Sequence, residues 1–300
     1  MPVDINRKST NIQLPKQLSA DIWASTLESS TVLAQAGKVQ MPGSGITIQQ
    51  VIGEPVANWV AETDEKPVSR HTFGVKEVVP YKMAVIEPFS NEFRRDKAAL
   101  YGILAQRLPF AISRKFDRTV FGVDAVPGSG FDTFGGAPAM TVASGAANTA
   151  PNLLAVNAYL AGRGVDPSAW IGTVGFEMQL LGATFPDNSG IFTSDYRTKP
   201  TVGSILGAPL VRHTQTPLKT STTVGDDTAI VGDFRTRSFV GIVENITVRA
   251  SDQATINDGG TALNLWQRNM FALLVEFEVG FMIDDVQNFV RVTDGVVDTP

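Results

Sequence analysis

Ala61-Glu-Thr-Asp-Glu-Lys-Pro-Val-Ser69 is a charged stretch with no core-forming run, and it stands between two segments that read as extended chain. On its N-terminal side Ile46 and Ile48 alternate with polar residues. On its C-terminal side Val79, Tyr81, Met83 and Val85 do the same, the two-residue period of a strand with one apolar face. Two extended arms around a polar tip make a long hairpin over 46–87. A hairpin alone is at best marginally stable in water, because it buries too little apolar surface. It therefore lies on its own domain or reaches onto another molecule.

Working outward, residues 92–121 form the longest helical pattern. Leu100, Ile103, Leu104, Leu108, Ala111, Ile112, Phe116 and Val120 recur at three- and four-residue spacing and give one apolar stripe. Asp96 suits the start of the helix, where a carboxylate meets the positive end of the dipole, and Pro109 is expected to bend it. A helix of this length spans about 40 Å, more than one small core requires. On the other side, Leu18–Ala36 reads as a helix ended by Gly37, and residues 1–15 read as polar and irregular. Gly122–Pro151 is rich in Gly, Ala, Ser and Thr and reads as a long flexible connection. Residues 152–245 read as an α/β unit: helices at Asn152–Ala161 and Phe176–Ala183, strands at Ala169–Val174, Ala208–His213, Thr228–Val231 and Phe239–Val243. The remainder is strand-rich, with the apolar run Met270–Ile283 and then Phe289–Val292.

Composition narrows the function. Of the 300 residues, 43% are hydrophobic and only 18% charged, against about 25% charged in an average soluble domain. That deficit implies surface meant to be covered by partners. A formal net charge of −5 and no basic run longer than Arg94–Arg95 give no bulk attraction to nucleic acid or to an anionic membrane. Zero cysteines exclude disulfides, thiolate metal sites and thiol catalysis. No apolar run approaches the roughly 18 residues of a membrane span, and Met1–Thr10 lacks the apolar centre of a signal peptide.

Catalytic patterns are sparse. The two histidines, His71 and His213, are far apart and read as exposed or edge residues. Gly128-Ser-Gly130 lacks the third glycine and helix of a dinucleotide fold, Gly162-Arg-Gly164 runs into Asp166-Pro167, and no phosphate loop occurs. Asp226–Asp227 and Asp284–Asp285 read as solvated turn carboxylates, with metal ligation the alternative. No cofactor or metal is expected. Trp23 and Trp170 suit core packing. Trp59, in a hairpin arm without a core, is a candidate for burial at an interface, where tryptophan is enriched.

In order along the chain, these pieces resemble the major capsid proteins of tailed phages, the Hong Kong 97 fold. Ala57-Asn-Trp-Val-Ala-Glu-Thr-Asp-Glu-Lys-Pro-Val-Ser69 with Phe73-Gly-Val75 resembles that family's extended loop. Ser90-Asn-Glu92 and Asp96 resemble the lead into its spine helix. Trp170–Leu181, Asp187-Asn-Ser-Gly190 and Ile205-Leu-Gly-Ala-Pro-Leu-Val211 resemble its axial domain, and Gly232-Asp-Phe234 with Leu265-Trp-Gln-Arg-Asn-Met270 through Phe281 its closing strands. The resemblance implies an α+β fold with an N-terminal arm (1–40), an extended loop (41–87), a peripheral domain (88–150 and 246–300, spine helix 92–121) and an axial domain (151–245).

It also implies a function. Copies of the chain would assemble as hexamers and pentamers into an icosahedral head around double-stranded DNA, held without sequence specificity and without a membrane. Only about 40 residues precede the extended loop, too few for a scaffold domain, so a separate scaffolding protein is expected, with a portal and decoration proteins as further partners. Assembly would take place in the host cytoplasm. Trp59, Glu62, Glu65 and Lys66 are the implied intersubunit contacts. Some relatives crosslink a loop lysine to an asparagine with a glutamate as base, and Lys66-Pro67, Asn269 and Glu276 match that pattern. The plainer reading gives Lys66 an ordinary ionic contact with a neighbour's carboxylate. The alternatives to a phage head are an encapsulin-type compartment of the same fold and a soluble hydrolase of mixed fold.

Overall fold

The computed structural model describes residues 30–52, 56–62, 65–70, 72–91, 97–142, 146–183, 201–213, 218 and 225–295. The expectations for Trp23, His71, Asp96 and Asp187–Gly190, and most of the helix expected at Leu18–Ala36, lie outside those residues.

The long apolar run becomes strand β13, Met270–Ile283. Its odd positions Phe271, Leu273, Val275, Phe277, Val279, Phe281 and Ile283 are all buried in one cluster, while Glu276 and Glu278 fall on the opposite face. That alternation is the pleat turned into a core wall. Against this wall lies helix α2, Lys97–Val120, through Ile112, Phe116 and Val120. The helix runs on across Pro109, and Ala111, expected in the apolar stripe, faces outward.

β13 is an inner strand of a four-stranded sheet of order β1-β10-β13-β4, built from β1 (Gly37–Gln40), β4 (Tyr81–Ser90) and β10 (Ser238–Ser251). β4 corrects the sequence reading. Tyr81, Met83 and Val85 alternate as expected, but instead of forming an arm of the hairpin they pair antiparallel with β13 over ten residues. Their half-buried side chains pack on the same core. Where β10 and β13 meet, Gly241 stands opposite Gly280. A Cβ on either would lie within 2.4 or 2.7 Å of the Met41 side chain, so this glycine pair is the slot that receives Met41.

The second sheet has six strands in the order β5-β14-β9-β6-β8-β7. They are β5 (Ala139–Thr141), β6 (Ala169–Thr173), β7 (Thr201–Ile205), β8 (Ala208–His213), β9 (Asp227–Gly232) and β14 (Phe289–Thr293). Ala169, Ile171 and Ile230 face the β13 core. Trp170, Ala229 and Val231 face a second core with Leu153, Val156 and Leu160 of α3 (Ala146–Gly162) and Phe176 and Leu180 of α4 (Val174–Leu181). Burial on both faces explains why β6 and β9 read as unbroken apolar runs. The sheet joins strands from three expected segments: β5 from 88–150, β14 from 246–300, the rest from 151–245.

The Gly/Ala-rich stretch after α2 is another correction. Rather than a flexible connection, its described part is pinned by Phe131 and Phe134. The Phe134 ring lies 4.9 Å from Phe289, 5.5 Å from Phe281, 5.6 Å from Phe234 and 6.2 Å from Phe121, centre to centre. Phe234 opens the short helix α5, Phe234–Arg237. Phe134 thus staples both sheets and the end of α2. Phe134→Ala is expected to lower unfolding free energy by about 3–5 kcal/mol, the cost of a buried aromatic cavity, read by chemical denaturation of the unassembled chain.

Candidate intersubunit contact site

β2 (Ile46–Ile52) and β3 (Thr72–Val78) form an antiparallel hairpin, from Ile46 opposite Val78 to Ile52 opposite Thr72. Its base is tied down. Val78 packs with Met41 and Met282, and the Lys76 ammonium lies 2.6 Å from Asp132 while donating to the Ile283 carbonyl. Gly45, just before β2, has φ +82°, and a Cβ there would stand 2.4 Å from the Val78 carbonyl oxygen. Beyond the base, the described apolar side chains of the hairpin are exposed. Phe73 and Val75 share one face of β3 and are each 70% exposed. At the tip Trp59 is fully exposed and Val68 83% exposed, and the Ser69 hydroxyl accepts from the Val56 amide at 3.0 Å.

Of the expected site residues, Trp59, Glu62, Glu65 and Lys66 are each exposed on the stretch between the hairpin strands. Asn269 and Glu276 lie elsewhere. Asn269 sits in the turn before β13 with φ +54°. Its main-chain carbonyl accepts from the Asn91 amide at 3.1 Å, and its side-chain oxygen accepts from Asn91 Nδ2 at 2.8 Å. Glu276 is half-buried on β13 with Lys82 and Arg249 each 3.9 Å away. Seven residues of extended chain put Asn269 and Glu276 about 20 Å apart, so within one chain they do not meet. The same turn presents Trp266, 66% exposed.

Of the acidic residues expected at solvated turns, Asp227 is buried, while Asp284 and Asp285 keep 36% and 45% of their side chains exposed. Buried Asp227 pairs with Arg291 at 3.0 Å, Asp284 with Arg237 at 3.0 Å, and Asp285 with Arg163 at 2.7 Å. Each has found a cation on another element. Among the described residues no group of three or more His, Cys, Asp or Glu could hold a metal, and no helix is long and apolar enough to cross a membrane.

His213 also departs from expectation, being 3% exposed at the end of β8. Its Nδ1 is 2.8 Å from the Thr31 hydroxyl and 3.8 Å from Oδ2 of Asp117, whose Oδ1 accepts from the Ser30 hydroxyl at 2.6 Å. Burial pushes the Asp117 carboxyl up to about 7 and the His213 imidazole down to about 4. Serine, histidine and aspartate are present, but Ser30 donates to the carboxylate and not to the imidazole, and all are closed from solvent. That arrangement holds no activated nucleophile. Ser30, Thr31 and Asp117 carry no local pattern that would single them out; only tertiary packing brings them to His213.

Comparisons with known proteins agree with this architecture. The phage capsid family matches residues 11–294. The chain is 28% identical over 303 aligned residues to a probable major capsid protein, gp17, of Mycobacterium phage D29, covering 94% of this chain and 90% of that protein. It is 28% identical to the protein of the same description in Mycobacterium phage L5, covering 94% and 89%. Among solved structures, one from Mycobacterium phage Adephagia superposes with TM-score 0.69 at 23% identity, covering 91% of this chain and 92% of that one. One from Microbacterium phage Oxtober96 gives 0.70 at 20%, covering 98% and 95%. The fold is thus the α+β capsid fold that the sequence resemblance implied, and the match along nearly the whole chain shows that it belongs to the phage capsid family.

Proposed function

We infer that this chain is the major capsid protein of a tailed phage, and that it builds the head from copies of itself. The observation that carries the reading is the hairpin. Phe73, Val75, Val68 and Trp59 stand exposed on an element whose base is packed on the subunit. Exposed apolar surface of this kind marks a contact site, and in a self-assembling family the partner is another copy. On this reading residues 41–80 reach over a neighbouring subunit, with Trp59 as the apolar anchor and Glu62, Glu65 and Lys66 as its charged rim. The four-stranded sheet with α2 forms the peripheral part. The six-stranded sheet with α3 and α4 forms the axial part around the five- and six-fold axes.

The shell is an icosahedral head of hexamers and pentamers enclosing double-stranded DNA. It assembles in the host cytoplasm around a separate scaffolding protein and is completed by a portal and decoration proteins. DNA contact is weak and non-specific, since the chain carries net charge −5. The encapsulin alternative predicts packaged enzyme in place of DNA.

Lys66 is an ionic contact in this scheme, not the source of a covalent link. A crosslink would require the Lys66 amine to attack the Asn269 amide with loss of ammonia, helped by a base. The Asn269 side chain is already bonded to Asn91, and Glu276 of the same chain is about 20 Å along the strand.

Negative-stain microscopy of the expressed protein is expected to show closed particles or capsomers; a monodisperse monomer at assembly concentrations would overturn the reading. Trp59→Ala is expected to leave the unfolding free energy of the unassembled chain within about 0.5 kcal/mol, as for an uncontacted surface residue, while reducing particle yield. A denaturing gel of mature particles is expected to give one band at the mass of a single chain. A ladder of multiples would instead establish the Lys66–Asn269 bond.

A further inference from the structure

The chain after α2 runs back to the base of the hairpin, where the Val79 amide donates to the Gly130 carbonyl at 3.3 Å. Between this segment, α2 and the edge strand β4 lies an open cleft of about 350 Å³. Its floor is apolar: Tyr81 and Met83 of β4, Phe116 of α2, Phe131 and Val279. Phe116 and Phe131 meet edge to face at 6.4 Å, Tyr81 meets Phe131 in the same way at 6.3 Å, and the Tyr81 hydroxyl donates to the Ser129 carbonyl. Walls held in this way are formed before anything enters, so an occupant meets little ordering cost. Ala125 stands exposed at the mouth.

The α2 side of that mouth is cationic. Lys115, 60% exposed, and Arg118 share one carboxylate, Asp124, at 3.0 and 2.8 Å. On the β4 side, Lys82 has Glu276 at 3.9 Å. The cleft therefore suits a large apolar side chain with a carboxylate beside it. The hairpin tip has that composition. Trp59 is fully exposed, and the nearest charged residues in sequence on either side of it, Glu54 and Glu62, are both acidic. Trp266, also exposed, is followed two residues on by the exposed Arg268, and a cation is repelled at this mouth.

We propose that Trp59 of one copy enters this cleft on a second copy, with Glu62 drawn to Lys115 at the mouth. The proposal rests on the shell reading, which supplies the second copy. Trp59 does not fill the cleft of its own chain, since its ring is in water. The cleft sits at the hairpin base, whereas β2 and β3 pair over seven residues and carry the tip about 20 Å away. Knob and socket are thus separate surfaces of one chain, and the contact between them runs head to tail: each copy gives a tip and receives one. A contact of this type closes into a ring when its rotation allows, which is what a hexamer or pentamer requires.

Photo-crosslinking of assembled particles tests the insertion. The full chain with benzoylphenylalanine in place of Trp59 is co-assembled as a minor component with wild-type chain and illuminated. The expected product has the mass of two chains, with the crosslink mapping to residues 79–84 or 115–131 of the second copy. With Ala125→Phe as the majority chain, whose added ring fills the mouth, that crosslink is expected to fall about tenfold, as for loss of one hot-spot side chain. A crosslink to other residues, such as the Trp266 turn, would overturn the insertion. So would particles that give no crosslink, or a crosslink that Ala125→Phe leaves unchanged; the map alone decides if that variant does not assemble. In each of these cases wild-type particles still form and the shell reading stands, whereas wild-type chain that forms no particles overturns both.

Discussion

One face of one strand organises this molecule. Seven alternate side chains of β13, from Phe271 to Ile283, are withdrawn from water against α2 and the Phe131–Phe134 segment. At about 1.5–3 kcal/mol for each large apolar side chain, this wall is a large gross contribution to stability. Its register dictates the rest. Because β13 lies between β10 and β4, a slip of one residue would bring Glu276 and Glu278 inward and turn Phe277 out. The Gly241–Gly280 pair, set by the same register, then leaves the space into which Met41 brings the chain that leads to the hairpin.

The hairpin is the complement of that wall. Its base shares the Met41–Val78–Met282 cluster with the far face of β13, and beyond Lys76 the apolar side chains Phe73 and Val75 are largely exposed. A protein that buries seven consecutive inward positions on one strand and leaves Phe73, Val75 and Trp59 in water has divided its apolar surface into two kinds. One closes the subunit. The other stays exposed on the single chain.

Polar groups were less legible than apolar ones. A carboxylate next to a turn looks solvated in sequence, yet Asp227, Asp284 and Asp285 each meet an arginine from a remote segment. His213 looked like an edge residue because strand ends are usually wet, but Thr31 of the short helix α1 (Thr31–Gln35) and the Phe121 ring cover it. Two aromatics, Phe131 and Phe134, were hidden within a stretch whose small-residue composition suggested a loose connection. Composition averages over a window, whereas a core needs only one ring in the right place. The tip residues Trp59, Glu62, Glu65 and Lys66 were legible as a cluster because they are neighbours in sequence, while Asn269 and Glu276 are joined by a spacing that the strand stretches to about 20 Å.

What the sequence alone determined are the elements with a strong period or a clear lack of one. β13 from its apolar run, α2 from its 3.6-residue stripe, the strands at 169–173 and 208–213, and the coreless charged tip all follow from local pattern, since burial leaves its mark on the chain that is buried. Tertiary structure alone decided who pairs with whom. It took β4 away from the hairpin and gave it to β13, carried β5 and β14 into the six-stranded sheet, and gathered Ser30, Thr31, Asp117 and His213 into one buried cluster. Such choices leave no local repeat, because a strand's two edges and a buried carboxyl's partner are supplied by chain segments a hundred or more residues distant.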